Sequence, residues 1–473
     1  MQKARFSDLA ILPCVLVWPF CLSTQIYYEE VQILPKANTA TLYLDNAIAE
    51  VVANKKLYVN NPDKDFTRER KLPMEDLIYS ILEMKGGSLT GEMINICEKL
   101  NTPLTKSAFV QQRDKLKSDA FLAIFHSFNK RCNYRNRYWG YRLLAVDGSD
   151  VNIWFNEGNT CINNGSNRYI SQIHLNALYD LINHTYVDIV SQGRAVADER
   201  AALIEMYQRS NIDEKAIIIA DRGYESLNLI AHFVESKNCD LLLRVKSGKS
   251  AIKEIANLPA EELDVDISIP ITTRQRKEDK LAGRHLFQVY KAKFNKKGKY
   301  ITERRWDFDP IYDLKFRAVR FQLPTGEYET LVTTLPRNKF SLYALRDIYH
   351  IRWGIETSFR HLKYAIGLSH IHGKSVESAL QEIYAAIIKY NYCEGIIGSI
   401  VIEQCIKNKH MYVVNHTAAI LLCLNFLRRR DSKTSELEIR IKQYTEPLRT
   451  GRKDKRKGIS PKGFISFTYR VAA

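Results

Sequence analysis

A run of residues from 349 to 363 constrains this 473-residue chain more than any other part of its sequence. On an α-helix, at about 100° per residue, four of its polar side chains fall within roughly 60° of one another. These are a phenol, two cations and a carboxylate: Tyr349, Arg352, Glu356 and Lys363. An apolar stripe that would seat the helix on a core runs beside them, formed by Ile348, Ile355, Phe359, Leu362 and Ile366. The sequence therefore predicts one helix whose charged stripe is either a solvated face or part of a site.

Two further segments are apolar runs that end in an aspartate. Residues 143–146 lead into Asp147, and residues 216–220 lead into Asp221. Each pattern predicts a short buried strand with the aspartate at its C-terminal end. Ligands of open α/β sheets bind at that edge, so the two carboxylates are candidates to join the charged stripe at one site.

The segments around these aspartates alternate between strand and helix patterns. After the first strand come strands at 172–180 and 185–191, a helix at about 198–209, the strand before Asp221, a helix at about 226–236 and a strand at 239–245. Three meandering strands followed by helix, strand, helix and strand is the order of the ribonuclease H-like fold. In that fold, carboxylates from the first and fourth strands and from a later helix converge. We therefore predict an α/β protein with a ribonuclease H-like catalytic core.

These motifs resemble those of DDE transposases of bacterial insertion sequences. The resemblance is to the insertion-sequence-four subgroup, whose third acidic residue lies in the pattern Y-x-x-R-x-x-x-E-x-x-x-x-x-x-K. The four residues of the charged stripe match all four positions without a gap. Residues 146–149 and 220–224 resemble the first and second acidic motifs, and the likeness covers roughly residues 75–395.

The resemblance implies a transposase that cuts and pastes an insertion sequence. It would bind terminal inverted repeats in double-stranded DNA, cleave a strand at the element's end and join the freed 3′ hydroxyl to target DNA. Asp147, Asp221 and Glu356 would be the catalytic residues and the ligands of two Mg²⁺ ions, with Mn²⁺ able to substitute. The expected DNA contacts are Tyr349, Arg352, Lys363 and Arg222. A nuclease of the same fold without strand transfer, or a non-enzymatic DNA-binding derivative, are the alternatives.

The amino-acid composition is compatible with this prediction and also indicates a cellular compartment. The 70 Lys and Arg against 53 Asp and Glu give a net charge of +17, which suits a polyanionic partner. Ribosomal-type binding or an anionic membrane surface would fit this charge equally well. Nine cysteines without a C-x-x-C pair favour a reducing cytosol, so we expect a cytoplasmic, nucleoid-associated protein. Four histidines between 350 and 372 lack a cysteine or carboxylate at zinc spacing, and we expect them to be structural or phosphate-facing: His350, His361, His370 and His372.

We expect five regions along the chain. They are an irregular extension at 1–72, a helical domain at 73–138, a catalytic domain at 139–245 and 336–395, a β-rich insertion at 246–335, and a helical region with a basic tail at 396–473. Lys3 and Arg5, followed by the apolar run at 9–22, resemble the charged and apolar parts of a signal peptide. The two prolines and the short length of the run favour an irregular extension or an upstream start codon instead. The helical domain is either a helix-turn-helix DNA-binding module or a plain subdomain.

The insertion is predicted from unequal spacing of the acidic residues, because 221 − 147 = 74 whereas 356 − 221 = 135. Its cations and aromatic residues suit a distorted DNA end, and guarded sheet edges are the alternative. The cations are Arg274, Arg276, Lys277, Lys280, Lys291, Lys293, Lys296, Lys297, Lys299, Arg304 and Arg305, and the aromatics are Tyr290, Phe294, Tyr300 and Trp306. We further expect a homodimer in the DNA complex, paired through apolar residues of the C-terminal region that include Ile396, Ile397, Ile400 and Val401. A core role for these residues in the monomer is the alternative.

Overall fold

The computed structural model describes residues 35–68, 70–163, 169–210, 212–246, 252–295, 300–404, 410–429 and 434–448. These residues belong to two compact units. The first comprises the described parts of Met1–Asn136, Arg360–His372 and Glu377–Ala473, and the second comprises those of Arg137–Phe359 and Gly373–Val376. No helix in the described ranges combines the length and the apolar character that crossing a bilayer requires.

Helices make up most of the first unit and flank the strands of the second. Within the described residues they are α1 (Ala37–Ala53), α2 (Lys55–Tyr58), α3 (Met74–Glu83), α4 (Leu89–Leu100), α5 (Lys106–Arg113), α6 (Asp119–Cys132), α7 (Glu199–Arg209), α8 (Leu227–Val234), α9 (Lys253–Ala256), α10 (Lys277–Leu281), α11 (Leu342–Ile351), α12 (Trp353–Tyr364), α13 (Val376–Ile397), α14 (His416–Arg429) and α15 (Thr434–Gln443).

Strands lie mainly in the second unit. They are β1 (Arg142–Ile153), β2 (Cys161–Asn163), β3 (Tyr169–Asp180), β4 (Thr185–Gly193), β5 (Ala216–Ala220), β6 (Cys239–Arg244), β7 (Leu263–Thr272), β8 (His285–Leu286), β9 (Lys293–Phe294), β10 (Tyr300–Ile301), β11 (Ile311–Gln322), β12 (Tyr328–Thr333), β13 (Tyr412–Val414) and β14 (Thr445–Pro447).

The second unit is built on one ten-stranded mixed sheet. Its core half has the neighbour order β4-β3-β1-β5-β6, in which β1, β3 and β4 are antiparallel and β5 and β6 run parallel to β1. α7 connects the antiparallel meander to β5, and α8 connects β5 to β6. This is the predicted ribonuclease H-like order, so the predicted α/β fold is confirmed.

The centre of this sheet is held by buried aliphatic side chains. All five residues of β5 are buried, and β-branched isoleucine suits a strand that is covered on both faces. Ile218 packs in one cluster with Leu203 of α7, Leu229 of α8 and Leu241 of β6. Truncating such an isoleucine to alanine would cost about 2–5 kcal/mol of folding free energy. The sheet edge that carries Asp147 and Asp221 is therefore rigidly supported.

The predicted insertion is β-rich and continues the same sheet. β12 pairs antiparallel with β6, and β11, β7 and β8 follow outward in that order. Without β12, one side of β6 would present unpaired backbone groups, which proteins avoid at exposed edges. The region at 246–335 therefore shares backbone hydrogen bonds with the core strands; its predicted bounds as a domain stay a prediction.

The extension predicted to be irregular contains a helix, so that prediction is wrong for its described part. α1 spans Ala37–Ala53 and buries one face at helical spacing, formed by Ala37, Ala40, Leu44, Ala47, Ile48 and Val51. Half of that face is alanine, so a search for large apolar residues does not detect the periodicity. Residues 1–34, including the apolar run at 9–22, lie outside the described residues, as does the basic tail from 449 onward.

The helical region after α12 differs from its prediction in extent and exposure. The apolar pattern after Gly367 predicts a long helix over about 376–406, but α13 ends at Ile397. Three of the four apolar residues that we expected at a dimer surface are buried within the first unit, and only Val401, which is 45% exposed, faces outward. The core role is therefore the one that Ile396, Ile397 and Ile400 play.

A helix-turn-helix module would present polar residues of its last helix to DNA, but two such residues of α5 are internal. Gln112 donates to the Leu72 carbonyl at 2.9 Å. Arg113 is 3% exposed and donates to Gln381 at 2.6 Å, to Glu382 at 2.8 Å and to the Ser378 carbonyl. These two side chains stabilise the first unit and are not available to DNA.

We expect Arg113→Ala to lower the free energy of unfolding by about 3–5 kcal/mol, because it leaves the carboxylate of Glu382 buried without its guanidinium partner. Chemical denaturation of the full chain measures this. The matched control is Arg131→Ala in the same unit, which breaks an exposed ion pair with Glu50 and should cost less than about 1 kcal/mol. Equal losses in the two variants would contradict the internal role of Arg113.

Candidate active site

Three polar side chains lie side by side at one edge of the central strands. The parallel registers of β1 with β5 and of β5 with β6 align the residues that immediately precede Asp147, Asp221 and Arg244. Arg244 Nε donates to Asp221 Oδ1 at 2.7 Å, and its Nη1 lies 3.1 Å from Glu329 Oε2. The sequence analysis did not identify Arg244. The sequence does show a cation near the end of the strand predicted at 239–245, the next parallel strand after the one that leads into Asp221.

Asp147 is not the last residue of its strand, contrary to the prediction. β1 continues to Ile153 because its antiparallel pairing with β3 persists that far. Its parallel pairing with β5, in contrast, ends at Val146. Asp147 therefore lies where one neighbouring strand ends and the other continues, which leaves its carboxylate at the predicted edge.

The predicted single helix from 349 to 363 is divided into α11 and α12. Arg352 forms the turn between them, with φ −48° and ψ −33°, and its N–H donates to the Tyr349 carbonyl at 3.1 Å. This i to i−3 bond is the tighter 3₁₀ type, which interrupts the α-helical pattern at that residue. Tyr349 and Glu356 thus lie on successive helices that meet at Arg352.

The guanidinium of Arg352 connects two of the three predicted carboxylates. Its Nη2 lies 2.8 Å from Glu356 Oε1 and its Nη1 lies 3.7 Å from Asp147 Oδ2. The guanidinium carbon is 5.9 Å from the ring centre of Tyr349 and 5.6 Å from that of Trp353. Arg352 is only 4% exposed, so its guanidinium is largely shielded from water. Its positive charge therefore compensates the negative charges of Asp147 and Glu356.

The third carboxylate is joined to this group through Tyr349. The Tyr349 hydroxyl donates to Asp221 Oδ1 at 3.2 Å. Burial raises the pKa of Tyr349 far above its usual value, so the hydroxyl remains a neutral donor. Asp147, Asp221 and Glu356 are thereby linked through two side chains, Arg352 and Tyr349.

The two aspartates have pKa values shifted in opposite directions. Burial raises the pKa of Asp147 to about 6, and the neighbouring charges of Glu356 and Glu199 add to the rise. At Asp221 burial also raises the pKa, but hydrogen bonds from Arg244 and from the Arg222 amide outweigh it, so the pKa is lowered. A bound cation would stabilise the ionised form of a carboxylate such as Asp147, whose pKa is raised by burial and by neighbouring carboxylates.

The donor chemistry of this site suits a hard divalent cation. Asp147, Asp221 and Glu356 offer only carboxylate oxygens, which Mg²⁺ prefers. The gathering of the like charges of Glu356 and Glu199 around the half-buried carboxylate of Asp147 is the observation that supports such a fit. The residues present therefore fit Mg²⁺ or Mn²⁺.

A buried histidine packs against Gly148, the residue that follows Asp147, and pairs with two carboxylates. His174 Nδ1 lies 2.6 Å from Asp150 Oδ1, and its Nε2 lies 3.1 Å from Glu199 Oε1. Although burial lowers the pKa of His174, these two carboxylates raise it to about 9, so the ring is a cation. A Cβ at Gly148 would lie 2.4 Å from His174 Nε2, so only glycine fits after Asp147. Sequence reasoning missed His174 and Glu199, since no local pattern marks them.

The remaining predicted DNA-contacting residues differ in position. Arg222 is exposed in the 3₁₀ turn Arg222–Tyr224, directly after Asp221. Lys363 lies in the last turn of α12, is half-buried and belongs to the first unit. The other site residues belong to the second unit.

Comparison with known proteins assigns the chain to a protein family. The model of the transposase DDE domain matches residues 138–392, more than half of the chain, and this range contains all three carboxylates. Comparison with curated protein sequences gives no match. The chain resembles a solved structure described as a cryo-EM structure of piggyBac transposase synaptic complex with hairpin DNA, with a TM-score of 0.43 and 12% identity over 85% of this chain and 84% of that chain. On the family match, the chain belongs to the transposase DDE domain family.

Proposed function

We propose that this chain is a cut-and-paste transposase of an insertion sequence, with Asp147, Asp221 and Glu356 as its catalytic residues. It would bind the terminal inverted repeats of the element, cleave the DNA strand there and join the 3′ hydroxyl to target DNA. The observation that carries the proposal is the linkage of the three carboxylates, from β1, β5 and α12, through Arg352 and Tyr349. Membership of the insertion-sequence-four subgroup is part of the proposal.

DDE transposases generally depend on divalent metal ions. In this chain Asp147, Asp221 and Glu356 would hold two Mg²⁺ ions, or Mn²⁺ in their place. Bound there, such ions supply Lewis-acid activation of the attacking oxygen and stabilise the leaving oxygen of an in-line displacement.

The side chains around the carboxylates set their protonation and position. Arg244 keeps Asp221 ionised, and Asp147 must lose a proton near pH 6 before it can act as a ligand. The Tyr349 hydroxyl holds Asp221 in place by donating to Oδ1. Arg352 orients Asp147 and Glu356, and it would turn part of its guanidinium to a DNA phosphate when a metal compensates the carboxylates.

Double-stranded DNA is the proposed partner of the exposed cations. Arg222 beside the site, Lys363 and the net charge of +17 support phosphate binding. In the inserted region Phe294 is 63% exposed next to Lys293 and suits base stacking at a distorted end. Trp306, in contrast, packs against Phe287 and Phe308, so it is part of a partly buried aromatic cluster.

A homodimer in the DNA complex remains part of the proposal for a chemical reason. Two DNA ends must be joined to one target, and each chain supplies one set of three carboxylates. Because Ile396, Ile397 and Ile400 are buried in the chain itself, pairing would need another surface.

The test is a reaction of the purified full chain with DNA that carries the two ends of the element, taken from the sequence that flanks the reading frame. We expect Mg²⁺-dependent cleavage at the ends followed by covalent joining to a second DNA. Light scattering of the reactive complex should give two chains for two ends. Hydrolysis without joining would assign a nuclease instead, and binding without cleavage a non-enzymatic DNA-binding protein. A strand-transfer complex with one chain would overturn the dimer.

A further inference from the structure

Two imidazoles and a carboxylate, carried by three different helices, come together within the first unit. His361 comes from α12, Glu394 from α13 and His416 from the first residue of α14. One ligand atom of each residue lies within 4.8 Å of the others. All three residues belong to the same compact unit and none takes part in the site described above.

The sequence hides this group because its members are far apart along the chain. Glu394 follows His361 by 394 − 361 = 33 residues, and His416 follows it by 416 − 361 = 55 residues. Short zinc motifs place ligands a few residues apart, so His361 was expected to be structural or phosphate-facing. Folding of the helices supplies the partners that the local sequence lacks.

The backbone that carries these ligands is well defined. Asn415 caps α14, since its side chain accepts from the Ala418 N–H at 3.0 Å and its own N–H donates to the Tyr444 carbonyl at 2.9 Å. This fixes the start of the helix, where His416 stands. Glu394 is 3% exposed on a helix that is buried along almost its whole length. Ligands on rigid elements suit a metal site.

The spacing of the ligand atoms differs from that of a simple hydrogen-bonded pair. Glu394 Oε1 and His416 Nδ1 are 3.5 Å apart, longer than the roughly 2.7–3.2 Å of a protein hydrogen bond. Two ligands about 2.0–2.1 Å from a tetrahedral zinc ion lie about 3.3 Å apart. The rings of His361 and His416 are nearly parallel, at 14° with centres 5.6 Å apart. Because stacked rings do not direct their nitrogen lone pairs at one point, the His361 side chain would rotate to bind the same ion as His416.

We propose that His361, Glu394 and His416 bind one Zn²⁺ ion. Two imidazole nitrogens and one carboxylate oxygen form a donor set that zinc accepts, with a fourth position for water. This set differs from the all-oxygen set of Asp147, Asp221 and Glu356, which suits Mg²⁺. The zinc ion would tie the end of α12 to α13 and α14, and it is independent of the proposed reaction.

The experiment measures zinc bound by the full chain after metal removal and dialysis against Zn²⁺, using elemental analysis, together with the melting temperature with and without Zn²⁺. We expect one equivalent per chain and a rise in melting temperature. Glu394→Gln and His361→Gln should each weaken zinc affinity by more than the roughly 100-fold that loss of an outer hydrogen-bond partner costs. His410→Gln, at an exposed histidine of the same unit, is the matched control and should bind normally.

Three results would overturn the assignment. The first is no zinc bound by the parent chain at micromolar Zn²⁺, which would leave an ion pair between His416 and Glu394. The second is one zinc ion per chain that remains bound in both ligand variants. The third is one zinc ion per chain that is lost in Asp147→Asn but remains bound in Glu394→Gln, which would place zinc at the acidic site. Since His361→Gln alters a half-buried residue, it keeps the test valid if Glu394→Gln fails to fold.

Discussion

Replacing Asp147, Asp221 or Glu356 by its amide is expected to reduce DNA cleavage by at least about 1,000-fold. An amide lacks the negative charge that binds a divalent cation. A bound metal ion lowers the activation free energy of the displacement by several kcal/mol, and this stabilisation would be lost. Binding of end DNA should change little, because phosphate contacts come from cations elsewhere. Single-turnover cleavage with Mg²⁺ and a binding assay on the same preparations measure the two effects.

The same variants should differ in stability, which separates lost chemistry from lost folding. The pKa of Asp147 is raised from 3.8 to about 6, so the folded chain binds the extra proton between these values and stability falls as pH rises through that window. Asp147→Asn mimics the protonated acid and should therefore raise stability at pH 7 without metal, on the order of 1–2 kcal/mol. Asp221, whose pKa is lowered, behaves oppositely, so Asp221→Asn should be less stable than the parent.

Glu205→Gln is the matched control for these amide variants. Glu205 lies on α7 in the same unit, its side chain is 55% exposed, and its pair with Arg209 is a surface i,i+4 pair. It should cleave and melt like the parent chain. Near-normal cleavage by any one of the three site variants would contradict its assignment as a catalytic residue.

Removing Arg352 is expected to harm both activity and stability. Arg352→Ala deprives Asp147 and Glu356 of their shared cation, at a cost of about 1–3 kcal/mol in folding free energy without metal. It also removes a charge-assisted phosphate contact worth about 1.5–3 kcal/mol, so cleavage should fall about 10–150-fold. Mg²⁺ should recover more stability in this variant than in the parent, because the ion compensates the same carboxylates.

The lysine variant and a nearby arginine make this prediction specific. Arg352→Lys keeps the charge without the two-pronged geometry and should give intermediate stability and activity. Arg346→Ala on α11, where the side chain is half-exposed and pairs with its neighbour Asp347, is the control and should have little effect. An Arg352→Ala variant that melts like the parent would show that the guanidinium does not compensate the carboxylates.

Local patterns were sufficient to predict much of the candidate site. Asp147 and Asp221 each end an apolar run, and that pattern depends only on neighbouring residues. Arg244 could not be found in this way, because its place beside Asp221 depends on the register between β5 and β6. The burial of Arg352 likewise depends on carboxylates that are distant in sequence, so a helix projection could not distinguish it from a surface cation.

The helical parts were harder to predict for related reasons. α1 carries its buried face on alanines, which hydrophobic patterns weight lightly. The turn at Arg352 divides a stretch whose composition favours one continuous helix. The proximity of His361 to Glu394 and His416 arises only when three helices pack, and no spacing along the chain encodes it.

The shared sheet has a consequence for how chains of this kind can be recombined. Because β12 shares backbone hydrogen bonds with β6 as well as with β11, the segment between β6 and α11 cannot be excised, or exchanged between relatives, by cutting at its two ends. A chimera would have to carry β6 together with β7, β11 and β12, and would therefore also transplant Arg244, the partner of Asp221. Chemistry and insertion are thus inherited together.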